Sequence, residues 1–258
     1  MRRVLAILLL GCVLAGCRSD APRRTEASTA APAHARRRYA VLINADTAGH
    51  HRRNISRAYR TLLALGFAER DVFVLSPRDR RNPPRKDTPV LKPFPENLAD
   101  VLDRLEDSVV PGDLVVIYGT GHGDTEQGES LLELRHGELY SGDLRAEVDR
   151  LRGDTVIVMD QCFSGGFADA LKGTRSRVLM VDTVDAAHET SCVVFARAFW
   201  DAFLHPEKAD RNHDGKTSVR EAFQLAIGAH RKDLDGDPDL GSNGNCRSFN
   251  GLDDAVLN

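Results

Sequence analysis

The strongest constraint on this chain is a series of short apolar runs separated by segments with helical periodicity. The runs are Tyr39–Ile43, Asp71–Leu75, Asp113–Tyr118, Asp154–Met159 and Val178–Val181. A run that is apolar at successive positions suits a strand buried on both faces, as in a parallel sheet, and not a strand with one wet face. Between the runs, Asn54–Leu65 sets Ile55, Ala58, Tyr59, Leu62 and Leu63 on one helical stripe, and Gly66 ends it. Glu96–Val109 does the same with Leu98, Val101, Leu102 and Leu105, and Ser141 can cap a helix through Leu151. This alternation predicts a doubly wound α/β domain with a mostly parallel sheet. Arg78–Pro95, rich in Pro, Arg and Asp, reads as a long surface loop. After Val181 the pattern turns helical and acidic, and no sixth strand is evident.

The first residues read as a targeting segment. Arg2 and Arg3 precede an apolar run from Val4 to Leu14 that is too short for a permanent membrane span. Leu14-Ala15-Gly16-Cys17 resembles the lipobox of bacterial lipoproteins, where cleavage precedes the cysteine and its thiol takes a lipid. Residues 1–16 are then a signal peptide and Cys17 the lipid anchor; the alternative is an ordinary secretory signal. Residues 17–38 hold almost no large apolar side chain and read as a flexible tether. The expected location is the cell envelope, with the chain held to the membrane by its lipid. Residues 39–258 suffice for one α/β domain with a full core.

Removing residues 1–16 takes away Arg2 and Arg3 and moves the formal charge from -3 to -5. That acidity gives no support to nucleic-acid binding. Beyond Cys12 and Cys17, the cysteines are Cys162, Cys192 and Cys246. An odd count in an exported domain suggests one pair and one free thiol, and Cys192–Cys246 is the pairing that leaves Cys162 free.

Two of the apolar runs end in chemistry. The third is followed by Gly119-Thr120-Gly121-His122-Gly123, and the fourth by Asp160-Gln161-Cys162-Phe163-Ser164-Gly165-Gly166. The carboxyl ends of parallel strands are where open α/β sheets hold their sites. A thiol needs a base to act near neutral pH, and His122 is the candidate. The N–H groups of Gly123 and Cys162 are the candidate oxyanion donors. Gly165-Gly166 is expected to permit a tight turn that exposes the sulfur.

These two elements resemble those of the caspase–legumain superfamily of cysteine peptidases, in its bacterial legumain-like or caspase-like branch. The family's His-Gly matches His122-Gly123, and its acid, x, Cys, x, Ser-Gly matches Asp160–Gly165, forty residues on. Asn54-Ile55 through Ala58-Tyr59-Arg60 and Glu189-Thr190-Ser191 also resemble legumain-like segments. The likeness runs from Tyr39 to about Phe203. It implies a caspase-like three-layer α/β/α sandwich and peptide-bond hydrolysis through a thioester, with His122 as acid and base and Cys162 as nucleophile. It also implies that Asp160 lines the pocket for the residue before the cleaved bond and favours Arg or Lys there. Glu189 is a second candidate for that pocket. The alternative for Asp160 is a carboxylate that caps backbone N–H groups.

Asp210–Glu221 has the spacing of an EF-hand calcium loop. Asp210, Asn212 and Asp214 offer side-chain oxygens, Lys216 its carbonyl, Ser218 a hydroxyl or bridging water, and Glu221 a bidentate carboxylate. Val193–Leu204 and Ser218–Ala229 read as the flanking helices, completing an EF-hand-like helix-loop-helix. The alternative is an acidic turn that caps the second helix. Asp233, Asp235, Asp237 and Asp239 read as a turn or an irregular cation site.

The expected protein is therefore a membrane-tethered, calcium-stabilised cysteine endopeptidase acting on peptides or proteins, without an organic cofactor. Two rivals share the sequence: a transpeptidase with the same dyad, and a catalytically silent calcium-binding envelope lipoprotein. The segment Asp124–Gly137 reads as a regulatory or processing loop, or as a solvent-exposed hairpin.

Overall fold

A computed structural model describes residues 35–77, 87–191, 193–234, 237 and 240–257. The signal segment and Cys17 lie outside them, as do Cys192, Asp235 and Asp239. The domain opens with β1 (Arg38–Asn44), α1 (Gly49–Ala64), β2 (Val72–Leu75) and β3 (Val90–Leu91). Next come α2 (Pro95–Ser108), β4 (Leu114–Thr120), β5 (Gly123–Glu126), β6 (Glu129–Leu134) and β7 (Gly137–Tyr140). Then follow α3 (Ser141–Val148), β8 (Asp154–Met159), α4 (Gly165–Ala170) and β9 (Val178–Asp182). The described chain closes with α5 (Val193–Ala202), α6 (Pro206–Ala209), α7 (Val219–Asp233) and β10 (Cys246–Phe249).

The main sheet has seven strands in the order β10-β9-β8-β4-β1-β2-β3, all parallel except β10, which runs antiparallel to β9. Successive side chains of each strand go to opposite faces. Ala40 and Leu42 of β1 join a core with α1, α5 and α7. Val41 and Ile43 join a second core with α2, α3 and α4. Both faces are covered, which is why the central strands are apolar at successive positions. The result is an α/β domain with a helical layer on each side of the sheet.

Register decides what meets at the sheet's carboxyl edge. Gly119 pairs with Met159, and Met159 with Asp182. The strands therefore end level, and the segments after β4, β8 and β9 emerge side by side.

Several expectations need correction. β3 falls inside the expected loop Arg78–Pro95, because two residues, Val90 and Leu91, suffice to extend the sheet beside β2. A further strand does follow Val181: β10 is a short edge element, Cys-Arg-Ser-Phe, without the apolar run that marks the buried strands. β1 begins at Arg38, within the expected tether. The segment Asp124–Gly137 belongs to a three-stranded antiparallel sheet, β5-β6-β7. It is no merely exposed hairpin, since Leu131, Leu132 and Leu134 are buried and Leu132 and Leu134 join the second core.

Candidate active site

β8 delivers Cys162 through a sharp turn. Phe163 adopts φ 55°, a left-handed conformation rare for a bulky residue, and its N–H donates to the His188 carbonyl at 2.9 Å. Ser164 is buried, and its hydroxyl oxygen accepts from the Thr183 N–H at 3.2 Å. The turn thus relies on Phe163, and the glycines after it serve packing. A Cβ on Gly165 would lie 2.7 Å from the Asp185 backbone, and one on Gly166 only 2.0 Å from Ser130 Oγ. This corrects the expectation that Gly165-Gly166 makes the turn.

β4 delivers His122 beside it. A Cβ on Gly121 would lie 2.6 Å from Ala45 Cβ, so the strand end is pressed against the segment after β1. A Cβ on Gly123 would lie 2.3 Å from the Cys162 carbonyl oxygen. Only glycine lets the two backbones approach this closely. The structure therefore brings the Gly123 and Cys162 backbones together, with His122 next to Gly123 in the chain.

The His122 side chain is largely exposed, and its Nε2 lies 3.8 Å from Asp46 Oδ2. Burial pushes the Asp46 carboxyl up. N–H bonds from Ala48 and Thr47, with His51 and His122 nearby, more than offset that and hold it below the usual carboxylate range. The Ala48 bond is 2.5 Å long. Beneath them, His51 is buried, with Nδ1 2.8 Å from Thr120 Oγ1 and Nε2 2.9 Å from His50 Nε2. Burial draws its pKa down to about 4, so it is neutral near pH 7. Sequence reasoning missed Asp46, His50 and His51. The adjacent Ala45-Asp46 and His50-His51, just past the first apolar run, were the available signal.

Cys162 is partly buried, and its sulfur is bracketed by Thr190. The Thr190 N–H donates to Sγ at 3.4 Å, and the Thr190 carbonyl accepts from Sγ at 3.5 Å. Burial pushes the thiol up, the Thr190 bond opposes this, and Glu189 adds to the rise. The resting sulfur is a thiol near neutral pH. Glu189 itself is exposed and bridges to Leu240.

Asp160 is fully buried, and the Tyr118 hydroxyl donates to its Oδ2 at 2.5 Å. Burial pushes its pKa up to about 7, against the hydrogen bonds of Tyr118 and Thr120. Its side-chain partners are hydroxyls, which corrects the alternative of a backbone cap. Among the described residues Oδ1 has no partner, and neither side-chain polar atom of the buried Gln161 has one.

Two cavities lie nearby, and neither is lined by Cys162 or Asp160. One of about 250 Å³ touches His122, Asp46, Glu133 and Arg135. The larger, about 1000 Å³, lies among β6, α3 and α4 and reaches neither His122 nor Cys162. Size therefore does not mark the chemistry here, and the strand-end geometry is the better guide.

The Asp210–Glu221 segment folds on itself. Asp210 Oδ2 accepts from the Gly215 N–H at 2.8 Å, Asn212 Oδ1 from Asp214 at 2.9 Å, and Asp214 Oδ1 from Lys216 at 2.9 Å. Glu221 Oε1 accepts from the Arg211 N–H at 2.8 Å, and Oε2 from the Ser218 N–H at 2.9 Å. Ser218 and Glu221 thus form a capping box on α7. Among the described residues, no three His, Cys, Asp or Glu side chains converge in a group able to hold a metal. The expected incoming helix is also broken: α5 stops at Ala202 and only the four-residue α6 precedes the loop. Pro206 opens that short helix and separates it from α5. In place of a second loop, Ser218 pairs with Val256 near the C-terminus.

Cys246 carries a free, buried thiol that burial pushes up to about 12; Cys192, its expected partner, lies outside the described residues. No described helix is long and apolar enough to cross a membrane.

No family model matches the chain, and no curated protein matches it. Among solved structures, the chain is similar to the crystal structure of protein GSU0716 from Geobacter sulfurreducens. Identity is 12%, with 83% of this chain and 92% of that chain covered, at a TM-score of 0.54. At that identity the likeness is one of fold alone, an α/β domain on a mostly parallel sheet.

Proposed function

We propose that this chain is a cysteine endopeptidase of the caspase–legumain superfamily, tethered to a bacterial membrane through Cys17. The observation that carries the reading is the approach of Gly123 to the Cys162 carbonyl, which sets a histidine-bearing backbone beside a half-buried thiol. In the proposed reaction His122 takes the Cys162 proton as sulfur attacks the substrate carbonyl. The N–H groups of Gly123 and Cys162 face the developing oxyanion. His122 then protonates the leaving amine, and a water molecule, deprotonated by the same imidazole, hydrolyses the thioester. Asp46, 3.8 Å from His122 Nε2, is placed to orient the ring.

Asp160 is proposed to select Arg or Lys before the cleaved bond. Its unpartnered Oδ1 and raised pKa support this, since a buried carboxyl without a cation gains by meeting one. Calcium binding by Asp210, Asn212, Asp214, Lys216, Ser218 and Glu221 rests on their spacing alone. The ion would supply a charge that ties the loop to α7.

The test is cleavage of fluorogenic peptides ending in Arg, Lys, Asn or Asp by the purified chain, beside Cys162→Ala. Cysteine-dependent cleavage after Arg or Lys is expected. Turnover that survives Cys162→Ala, or none on any peptide by folded protein, overturns the reading. An added amine acceptor that appears in the product would assign the transpeptidase instead.

A further inference from the structure

The segment that brackets the thiol has neither helix nor ladder from Thr183 to Ser191, apart from the Glu189 bridge. Its position comes from ties to other elements: Thr183 and Val184 to Ser164, Asp185 to Asn243, His188 to Phe163 and, at the Glu189–Thr190 end, three more. Two come from Gly241: its N–H donates to the Glu189 carbonyl at 2.8 Å, and its carbonyl accepts from Thr190 Oγ1 at 2.8 Å. The third comes from α7, where His230 Nε2 lies 2.8 Å from Thr190 Oγ1. The Thr190 hydroxyl has one proton, and it goes to Gly241. Oγ1 must therefore accept from His230, which fixes the tautomer with hydrogen on Nε2.

His230 is fully buried in the last turn of α7, with Phe195 of α5 at a ring distance of 6.1 Å. Its Nδ1 has no partner among the described residues. Such a place suits an apolar side chain, and the imidazole's polar contacts there are with Thr190 and the Gly241 backbone. Burial lowers its pKa; Asp233 and the Gly241 backbone bond pull towards the charged form and Arg231 away from it.

We infer that His230 is a positioning residue for the nucleophile: through Thr190 it aims a main-chain N–H at the Cys162 sulfur. The inference takes Cys162 as nucleophile from the reading above. An N–H aimed at sulfur favours thiolate over thiol. It works, together with the N–H of Cys162 itself, against burial and the negative charges of Glu189 and Asp124. Freed from His230 and Gly241, the segment would let that donor drift.

The experiment needs no peptide substrate. The rate of Cys162 alkylation by iodoacetamide is measured on the full chain as a function of pH, reading the Cys162 peptide by mass spectrometry. In Thr190→Val and His230→Leu the profile is expected to move to higher pH. The rate near neutrality should fall about tenfold, the scale of one lost hydrogen bond to a charged group, with the alkaline plateau unchanged. His230→Gln offers an amide donor in place of Nε2 and is expected to restore the profile. An unmoved profile in folded Thr190→Val overturns the inference. So does a rate lowered equally at every pH, which would report access alone, or a Gln variant no better than Leu. Should His230→Leu fail to fold, Thr190→Val and His230→Gln still decide. A displaced profile without peptidase activity in the wild type keeps the positioning role and removes the peptidase reading; activity with superimposed profiles does the reverse.

Discussion

The strand-end site and the Asp210–Glu221 loop are both legible as motifs, yet they fold on different terms. His122 and Cys162 are forty residues apart in the chain and reach neighbouring strand ends because β4 and β8 pair in register. Nothing local could bring them together. The loop does the opposite: Asp210, Asn212, Asp214 and Glu221 all accept from backbone N–H groups within twelve residues. Its side chains are satisfied by their own turn, so the spacing that suggests a metal also builds a self-contained helix cap. A motif split across a sheet says more about function than a motif closed on itself, because only the first needs the whole fold.

The sharpest break of this comparison is at the split site. His122→Ala is expected to lower kcat/KM on an Arg or Lys peptide by about a thousandfold or more, with the melting temperature little changed. Activity within tenfold of wild type would remove His122 from the chemistry. Gly123→Ala drives a Cβ to 2.3 Å from the Cys162 carbonyl. It should cost on the order of a hundredfold in rate through misplacement and about 1–3 kcal/mol in stability through overpacking. Urea unfolding beside kinetics separates the two, and a tolerated alanine would deny the close approach.

Asp160 gives a pH signature. Its folded pKa, about 7, lies above its unfolded value, so the native state holds the proton more tightly. Stability from this group is present below pH 4 and is lost as pH rises from there to about 7. Asp182, also raised to about 7 by burial, contributes in the same direction. Asp160→Asn is expected to flatten part of that descent in denaturant titrations; a slope identical to wild type would contradict the burial. The same variant should lose preference for Arg and Lys.

The loop sharpens the other half. Calcium is expected to raise the melting temperature of wild type over that in chelator, and Glu221→Gln to abolish the rise. Equal melting with and without calcium leaves only the helix cap. For that cap the smallest effect is predicted: Ser218→Ala should cost about 1 kcal/mol, with or without metal, in urea unfolding.

The apolar runs determined the strands, since a run buried on both faces has no other fate in a domain this size. Asp154–Met159 holds at both ends, and Glu96–Val109 differs from α2 by one residue at each. α1 begins earlier than its stripe, at Gly49, because residues of its first turn pack into the site and lie off the apolar face. His122-Gly123 and Asp160–Gly165 were readable because a strand followed by His-Gly or Cys-x-Ser-Gly is a local pattern. What only the tertiary structure decided is who stands beside them. Asp46 faces His122 because Gly121 admits Ala45, and Thr190 faces Cys162 because β9 ends level with β8. His230 reaches Thr190 from a helix forty residues on. β10, too polar to announce itself, joins only as an edge, and Asp160 takes a hydrogen bond from Tyr118 on the strand beside it. Periodicity and turn chemistry act within a few residues and are written in the sequence. Neighbours across a sheet depend on register and layer packing, which no short segment carries.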